Sequence, residues 1–543
     1  MKVNINNKTY EYPQKTTLEE IAKDFPGEYF SATVNNRLRE LTYSLEIEDA
    51  TVEFLGLDYY ESVKIYEASL RYLIVMALHN IMPNDDIRFS NSISMGVYGE
   101  LIGKTVNPKI LKNLTDEMER IVKADYPLKR KKYSIEEIAE YYKSLGYTDK
   151  LGTLKYRKEN VNVYECNGYK NYMYSYMVPS TGYLKNFKFR LCFPGFIVQF
   201  PRSEKNGEIP EFIDEPKFLK TLSQAAKWSK NTHSENIYQI NDKCSDEDEL
   251  IKFIGVCETR HNHQLKEIGD MIESNLDMIR LIAIAGPSSS GKTTFSKRLE
   301  IELMSRNIRP MRISIDNYYL KPEMAPKNED GSPDFEHIEA LNLDLFNENM
   351  NDFLDGKEVR LPQFDFKTKD ISYMEPVKLE KDGVIIIEGI HALNDRLTES
   401  IPNDRKFKIY IAPLAQRNID NHNPISLTDL RLVRRIVRDL NFRNTSAEKT
   451  LEMWDSVRRG EHRWIYPNME KADYIFNSEL GYELLVLKKY GVESLKSITN
   501  DSKYYILANR LLKFLKVYRS IGDDFIQNNS LIREFIGGSV FKE

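Results

Sequence analysis

Apolar and polar residues alternate over short runs in the first 63 residues, which is typical of strands in a small sheet. A helix is predicted between them at Thr17–Phe25, where apolar residues recur every three or four positions and Pro26-Gly27 follows. Strands are predicted at Lys2–Ile5, Lys8–Tyr12, Ala32–Val34 and Thr51–Leu57. The pattern therefore predicts a compact sheet wrapped on one helix.

Residues 64–265 mix helical periodicity with aromatic, strand-like runs, and therefore predict an α+β segment. Ser134 and Glu137 have the spacing of a capping box, which indicates a helix start. Three longer helices are predicted at Ile65–His79, Pro216–Lys230 and Glu247–Glu273. Between residues 161 and 200 the aromatic runs, among them Tyr183–Phe200, indicate strands.

Residues 280–480 alternate short apolar runs with helical stretches, which predicts a doubly wound parallel sheet. The strands are predicted at Leu281–Ala285, Met311–Ile315, Val384–Glu388, Phe407–Ala412 and Tyr474–Asn477. Ligands of such sheets bind beyond the carboxyl ends of the strands. Residues 481–543 form a tail with one predicted helix, Lys503–Tyr518.

Composition narrows the class of protein. The 543 residues are 41% hydrophobic and 29% charged with a net charge of -5, so no global basic field points to nucleic acid. The basic run 129–132 is interpreted as a solvated loop, and His261 and His263 as exposed or capping residues instead of metal ligands. The N-terminus lacks an apolar signal core, and we expect a cytoplasmic protein without a membrane span. Four cysteines without a C-x-x-C pair argue against disulfides and zinc: Cys166, Cys192, Cys244 and Cys257.

The segment Gly286–Thr294 has the spacing G-x-x-x-x-G-K-T between a predicted strand and a predicted helix. Its backbone N–H groups can cradle phosphates, Lys292 can reach the outer phosphates, and the Thr293 hydroxyl can bind Mg²⁺. The alternative is a chance Gly/Ser turn before a helix. The residues predicted to bind ATP are Gly286, Ser288, Ser289, Ser290, Gly291, Lys292, Thr293 and Thr294.

Two acids end neighbouring predicted strands. Asp316 could deprotonate an acceptor hydroxyl, help to hold Mg²⁺, or cap a turn. Glu388 could organise the metal or be an ordinary carboxylate at a strand end. Because Gly286 also follows a strand, all three positions should meet at one edge of the sheet.

A stripe of arginines and a long insertion complete the candidate chemistry. Arg431, Arg434, Arg435 and Arg438 share one helix face, where they could clamp phosphate oxygens or form salt bridges on a solvated surface. The insertion Leu320–Asp382 places acids beside aromatic residues, which suits a sugar hydroxyl and a stacked base. The aromatic residues could instead be core, and they are Phe335, Phe364 and Phe366.

Ordered blocks in residues 280–480 resemble the uridine kinase family of P-loop nucleoside kinases: GPSSSGKTT, ISIDNYYL, PDFEHIEALN, PQFDF, VIIIEGIHAL and DLRLVRRIVRD. The resemblance implies that Asp316 is the catalytic base, that Glu336 binds ribose hydroxyls, and that Arg434 and Arg438 belong to a lid. It extends the acceptor site to Tyr318, Asp365 and Lys369 as well. Phe364 and Lys369 replace the tyrosine and histidine typical of that family, so the accepted base is left open.

Residues 1–265 resemble the N-terminal part of threonyl-tRNA synthetase. Residues 1–63, with the turn ATVNNRLREL, look like its β-grasp TGS domain, and residues 64–265 look like its editing domain. The positions that match the editing domain's metal and catalytic set are Glu67, Arg71, Met173 and Met177. Arg and Met replace imidazole and thiolate poorly, so editing activity is expected to be lost. A regulatory function is expected for these two domains.

The sequence thus predicts a multidomain chain: a TGS-like domain (1–63), an editing-like α+β domain (64–265), a P-loop kinase domain (280–480) and a helical extension (481–543). The predicted catalytic set is Asp316, Lys292 and Arg434, with Thr293, Glu388 and Asp316 on Mg²⁺. The favoured activity is transfer of the γ-phosphoryl group of MgATP to a ribonucleoside 5′-hydroxyl. Two alternatives stay open, namely a kinase of another alcohol or sugar phosphate, and an RNA- or ribosome-associated ATPase. We expect a small-molecule partner; a homo-oligomer stays open.

Overall fold

The structure is a computed structural model that describes residues 1–328, 331–365 and 368–541, the side chain of Asn91 excepted. Residues 1–63 form one five-stranded sheet and one helix. The elements are β1 (Lys2–Ile5), β2 (Lys8–Glu11), α1 (Leu18–Ala22), β3 (Ser31–Val34), β4 (Arg37–Arg39) and β5 (Ala50–Leu55). The strand order is β2-β1-β5-β3-β4, with β1 and β5 parallel. Thr17 and Glu20 form a capping box at the start of α1, whose buried Leu18 and Ile21 face the sheet.

Residues 60–273 contain two antiparallel sheets and several helices. The elements are α2 (Tyr60–Ile81), β6 (Ile87–Ile93), β7 (Gly96–Leu101), α3 (Pro108–Ala124), β8 (Lys129–Tyr133), α4 (Ile135–Ser144), α5 (Thr148–Leu154), β9 (Val161–Cys166), β10 (Tyr169–Asn171), β11 (Lys188–Cys192), β12 (Gly195–Gln199), α6 (Pro216–Asn231), α7 (Ile237–Lys243) and α8 (Glu247–Glu273). The sheet orders are β10-β9-β8 and β11-β12-β7-β6. The predicted loop at 129–132 is instead the edge strand β8, because it pairs with β9 while its basic side chains stay exposed.

The third segment is built on a parallel sheet. The elements are β13 (Leu281–Ala285), α9 (Lys292–Met304), β14 (Arg309–Ser314), α10 (Leu343–Leu354), β15 (Glu358–Val359), β16 (Pro362–Phe364), β17 (Ile371–Tyr373), β18 (Val377–Lys378), β19 (Gly383–Glu388), β20 (Lys406–Ala412), β21 (Asn418–Asp420), β22 (Asn423–Pro424), α11 (Leu427–Arg443), α12 (Ala447–Gly460), β23 (Tyr474–Asn477), α13 (Glu483–Lys496), α14 (Tyr505–Lys516) and α15 (Arg533–Ile536). The order β14-β19-β13-β20-β23, parallel throughout, confirms the predicted parallel sheet. Separate apolar cores cover its two faces. The carboxyl ends of β13, β14 and β19 therefore meet at one edge.

The hairpin β21–β22 belongs to the third segment in sequence, but it packs among residues of the second segment. Lys150 and Asp420 form an ion pair at 3.1 Å with almost no exposed side-chain surface, and His422 Nε2 lies 2.9 Å from Asp86 Oδ1. The guanidinium of Arg71 donates to the carbonyl of His422. Because α11 begins three residues after β22, the N-terminal half is fixed directly to the arginine-bearing helix.

The four positions where editing ligands were predicted to be lost all lie in the interior. Glu67 pairs with Lys64 and with Arg71, whereas Met173 and Met177 are core residues with at most 3% of their surface exposed. Within 1–328, 331–365 and 368–541, no cluster of three His, Cys, Asp or Glu side chains could hold a metal ion.

The interpretation of His261 as exposed or capping is wrong. His261 has no exposed surface, and its Nε2 lies 3.2 Å from the carbonyl oxygen of Glu479. The buried face of α8 packs against the core of the parallel sheet, so His261 is covered while His263 remains exposed. In the described part of the chain, no helix is long and apolar enough to cross a bilayer.

Candidate active site

The loop between β13 and α9 has the geometry of a phosphate cradle. Gly286 passes so close to β20 that a Cβ atom would lie 2.0 Å from the carbonyl oxygen of Ile411. Gly291 caps α9 with a φ of 91°, a left-handed conformation that favours glycine. Both glycines of the motif are therefore required by the backbone, one by close approach and one by conformation.

The ammonium of Lys292 lies over this loop. Its Nζ donates to the carbonyl oxygens of Gly286 at 2.9 Å and Pro287 at 3.2 Å. Burial lowers the pKa of Lys292, while the negative charges of Glu388 and Asp316 oppose that shift. Lys292 is thus held at the loop and shares one electrostatic environment with both predicted acids.

Two hydroxyl groups of the loop suit a triphosphate. Ser289 and Ser290 are 3% and 0% exposed, and among the described residues neither Oγ atom has a hydrogen-bond partner. Buried hydroxyls normally have a partner, and these two lie beside the N-terminus of α9, where anions bind well. Together with Lys292 they fit the phosphate chain of a nucleotide.

Asp316 and Glu388 form an acidic pair beside Lys292. Burial raises the pKa of Asp316, against the opposing charges of Lys292 and Arg443. Burial raises the pKa of Glu388 to about 7, and the nearby charge of Asp316 adds to that shift. A buried carboxylate and a half-buried one beside it suit a divalent cation, which prefers oxygen ligands and usually keeps several of its waters. The Thr293 hydroxyl lies in the first turn of α9 on the same loop.

The acceptor side lies next to Asp316. Burial raises the pKa of Glu336 to about 7; Arg435 opposes the shift, whereas Glu461 and Asp316 add to it. The Tyr319 hydroxyl donates to the carbonyl of Phe335 at 3.1 Å. The ring of Tyr319 lies 5.6 Å from Phe335 and 5.9 Å from Phe364. Carboxylates and aromatic rings therefore lie close together beyond β14.

Three residues predicted to contact the acceptor, Tyr318, Asp365 and Lys369, differ in burial and in position. Tyr318 is buried, with its hydroxyl accepting from Asn349 at 3.0 Å, so it is a core residue and its predicted substrate contact does not fit the structure. Asp365 is exposed, and its carboxylate accepts from the Thr368 amide at 3.1 Å. Lys369 Nζ lies 5.4 Å from the ring of Phe335, on the acceptor side. Phe366 is outside the described residues.

The arginines of α11 divide into structural and site residues. Arg434 has no exposed surface, and its guanidinium donates to Glu483 at 3.0 Å and to the Ser478 carbonyl at 2.9 Å. Its predicted catalytic and substrate contacts do not fit, because both edges of the guanidinium are used behind the phosphate loop. Arg438 pairs with Asp439 at 2.9 Å, and its charge adds to the lowering of the pKa of Lys292.

Two arginines near the site were not among the predicted catalytic and substrate-binding residues. Arg435 donates to Ser288 Oγ at 2.7 Å and also acts on Glu336, so it connects the phosphate loop with the acceptor side. The charge of Arg443, in the last turn of α11, opposes the raised pKa of Asp316. The stripe Arg431, Arg434, Arg435 and Arg438 could have indicated Arg435, but nothing in its spacing separates Arg435 from Arg434.

We expect the free energy of unfolding to depend on pH through Glu336. Its folded pKa of about 7 exceeds the ordinary glutamate pKa of 4.5, so between these values the folded state keeps a proton that the unfolded state has lost. This contribution therefore falls as pH rises from about 4.5 to about 7. Glu336→Gln should reduce the loss of stability between pH 5 and pH 8, measured by denaturant unfolding. The exposed control Glu323→Gln should follow the wild type, and an unchanged slope in Glu336→Gln would contradict the prediction.

Comparison with known proteins places the site in a family. The sequence profile of the Phosphoribulokinase / Uridine kinase family matches residues 281–481. A uridine kinase of Ureaplasma urealyticum is 31% identical over 194 residues, which cover 36% of this chain and 85% of that protein. The uridine kinase of Bacillus subtilis is 30% identical over 213 residues, with coverage of 38% and 92%. That of Borrelia duttonii is 31% identical over 235 residues, with coverage of 42% and 100%.

The matched region contains the phosphate loop, both acids and the arginine helix, and so confirms the resemblance seen in the third segment. Residues 1–280 and 482–543 lie outside the profile match. The relatives and the profile indicate an ATP-using phosphotransferase with an alcohol group as acceptor. The chain belongs to the phosphoribulokinase/uridine kinase family.

Proposed function

We propose that this protein transfers the γ-phosphoryl group of ATP to the 5′-hydroxyl of a ribonucleoside. The observation that carries the proposal is the position of Asp316, which interacts electrostatically with Lys292 on the phosphate side and with Glu336 on the acceptor side. A carboxylate between a phosphate cradle and an acceptor space is where a base for an alcohol has to lie.

The residues divide the reaction between them. Asp316 takes the proton of the acceptor hydroxyl as its oxygen bonds to the γ-phosphorus, and the bond from that phosphorus to the ADP oxygen breaks. Lys292 and Arg438 neutralise charge on the phosphate oxygens, and Arg435 does so where the loop meets the acceptor. Asp316, Glu388 and Thr293 would hold Mg²⁺, which supplies charge neutralisation when bound.

Charge in the acceptor space favours a neutral polyol such as a ribose. Glu336 is flanked by the charges of Glu461, Asp316 and Asp334, and Arg435 is the opposing charge. These carboxylates would repel an acceptor that already carries a phosphate, whereas the hydroxyls of a sugar can donate hydrogen bonds to them. Phe335, which is half-buried beside Tyr319, offers apolar surface for a base, whereas Phe364 is 5% exposed and belongs to the core.

A second candidate, a kinase of a phosphorylated or otherwise anionic alcohol, is favoured by Lys369. Its ammonium lies 5.4 Å from the ring of Phe335, close enough to the acceptor side to attract an anion. This candidate and the first differ only in the acceptor, so one screen separates them.

The N-terminal half belongs to the proposal as a regulatory unit. We propose that residues 1–63 are a TGS-like β-grasp domain and residues 64–265 an editing-like α+β domain, followed by the kinase domain (280–480) and a helical extension (481–543). The support is the loss of ligands at Glu67, Arg71, Met173 and Met177, and the hairpin β21–β22 that fixes this half to α11.

An acceptor screen tests the proposal. The full chain, ATP and Mg²⁺ are incubated with uridine, cytidine, adenosine, guanosine, inosine, ribose 5-phosphate and glycerate, and ADP release is measured. We expect at least one nucleoside to yield a 5′-monophosphate at a rate at least 10-fold above the acceptor-free rate. Turnover only with ribose 5-phosphate or glycerate would favour the second candidate, and turnover with none of the seven would refute the proposed acceptor.

A further inference from the structure

The end of the chain, residues 527–538, covers the phosphate loop. Leu531 and Phe535 are at most 1% exposed, and a Cβ atom on Gly291 would lie 2.6 Å from the side chain of Leu531. Asn441 of α11 donates to the carbonyl of Phe535 at 2.9 Å. The guanidinium of Arg434 stands 5.2 Å from the Phe535 ring. This segment, outside the family match, is therefore packed against both the loop and the arginine helix.

One acidic side chain of residues 527–538 contacts the phosphate loop directly. Glu534 Oε2 accepts a hydrogen bond of 3.1 Å from the backbone N–H of Thr294. Thr294 is the third residue of α9, and the N–H groups of a first helical turn have no partner within the helix. The charge of Glu534 is felt by both Lys292 and Glu388. A carboxylate thus occupies a donor that a phosphate would use.

We propose that Glu534 is an autoinhibitory residue, which competes with the phosphates of ATP for the N-terminus of α9 and must leave before nucleotide binds fully. The inference rests on the proposed function only in that the loop binds ATP. One N–H group cannot serve a carboxylate and a phosphate at once, and two anions at this distance repel each other.

The release requires a small movement. Glu534 is half-buried and its flanking Leu531 and Phe535 are anchored in the core, so its side chain can turn toward solvent while the backbone stays. Arg533 keeps that backbone in place, because its guanidinium donates to the carbonyls of Asp523 at 2.9 Å and Ile526 at 2.6 Å. The contact is therefore a gate on one rotatable side chain instead of a folding transition of the tail.

Calorimetric titration with ATP and Mg²⁺, without any acceptor, tests the gate on the full chain. Glu534→Gln keeps the shape and removes the charge, and Glu534→Ala removes the competitor. A hydrogen bond to a charged acceptor is about twice as strong as a neutral one, so glutamine at position 534 should compete less well for the Thr294 N–H. We therefore expect Glu534→Gln to lower the Kd for ATP about 5- to 10-fold. Glu534→Ala should lower the Kd at least as far. Asp524→Asn, an exposed acid of the same tail, is the matched control and should bind as the wild type does.

The outcomes separate this inference from the proposed function. An unchanged or weaker affinity in both Glu534 variants would overturn the gate, and weaker affinity would show that Glu534 supports the loop. ATP binding that tightens as expected, with no acceptor phosphorylated, would support the gate and refute only the acceptor. Failure of every protein to bind ATP would overturn both. Denaturant unfolding of each variant verifies that it is folded.

Discussion

Lys292→Met is expected to lower kcat about 1,000-fold while the protein stays folded. Methionine keeps the length of the apolar stem but removes the charge held over the Gly286 and Pro287 carbonyls. Loss of one preorganised group that stabilises charge in a transition state costs about 100- to 1,000-fold, and here the charge is a full one. Initial-rate kinetics with ATP and the best acceptor of the screen measures the effect.

The control for this variant is Lys381→Met, in an exposed turn before β19, which should retain wild-type kinetics. A second expectation follows from the coupling of Lys292 with the acids: loss of its charge should raise the pKa of Asp316 and Glu388 further. A Lys292→Met protein with more than a tenth of the wild-type kcat would contradict the position assigned to this ammonium.

Asp316→Asn is expected to lower kcat about 100- to 10,000-fold, the usual contribution of a positioned general base. Asparagine has nearly the same shape but cannot accept the acceptor's proton. If Asp316 acts on the acceptor, the KM for ATP should change much less than kcat. Steady-state kinetics over a range of ATP and acceptor concentrations separates the two constants.

The exposed Asp404→Asn, in the turn before β20, serves as the matched control and should not alter kcat. A Mg²⁺ titration distinguishes the two predicted functions of Asp316. Lost turnover that high Mg²⁺ restores would assign Asp316 to the cation, whereas lost turnover at every Mg²⁺ concentration would assign it to the proton. Full turnover of Asp316→Asn would show that the base is elsewhere.

Local patterns were sufficient to predict the sheet and the cradle. The inner strands β13 and β19 contain the uninterrupted apolar runs Leu281–Ala285 and Val384–Ile387, and such runs are buried on both faces. The spacing from Gly286 to Thr293 specifies backbone geometry over a few residues, so it can be identified without knowledge of distant contacts. The proximity of Asp316 and Glu388 to the cradle could also be predicted, because the carboxyl ends of parallel strands lie at one edge of the sheet.

Side-chain direction and distant packing could not be predicted in the same way. Arg434 and Arg435 are neighbours on α11, yet one is buried against Glu483 and the other reaches Ser288, because only the packing of α13 distinguishes their faces. The adjacent residues Tyr318 and Tyr319, which follow β14, also point in different directions: Tyr318 toward the core and Tyr319 toward the acceptor side. Glu534 is 240 residues from Thr294 in the chain, and no periodicity signals a contact of that range.

The hairpin β21–β22 also bears on how this chain can be divided. A cut near residue 280 follows the family match but separates Asp420 from Lys150 and His422 from Asp86. The shorter piece would then lose the partners of Asp420 and His422, together with the residues of the other half that bury this hairpin. A fragment drawn from the family boundary would therefore be a poor substitute for the intact molecule, and the enzyme is best regarded as a unit whose two halves complete each other.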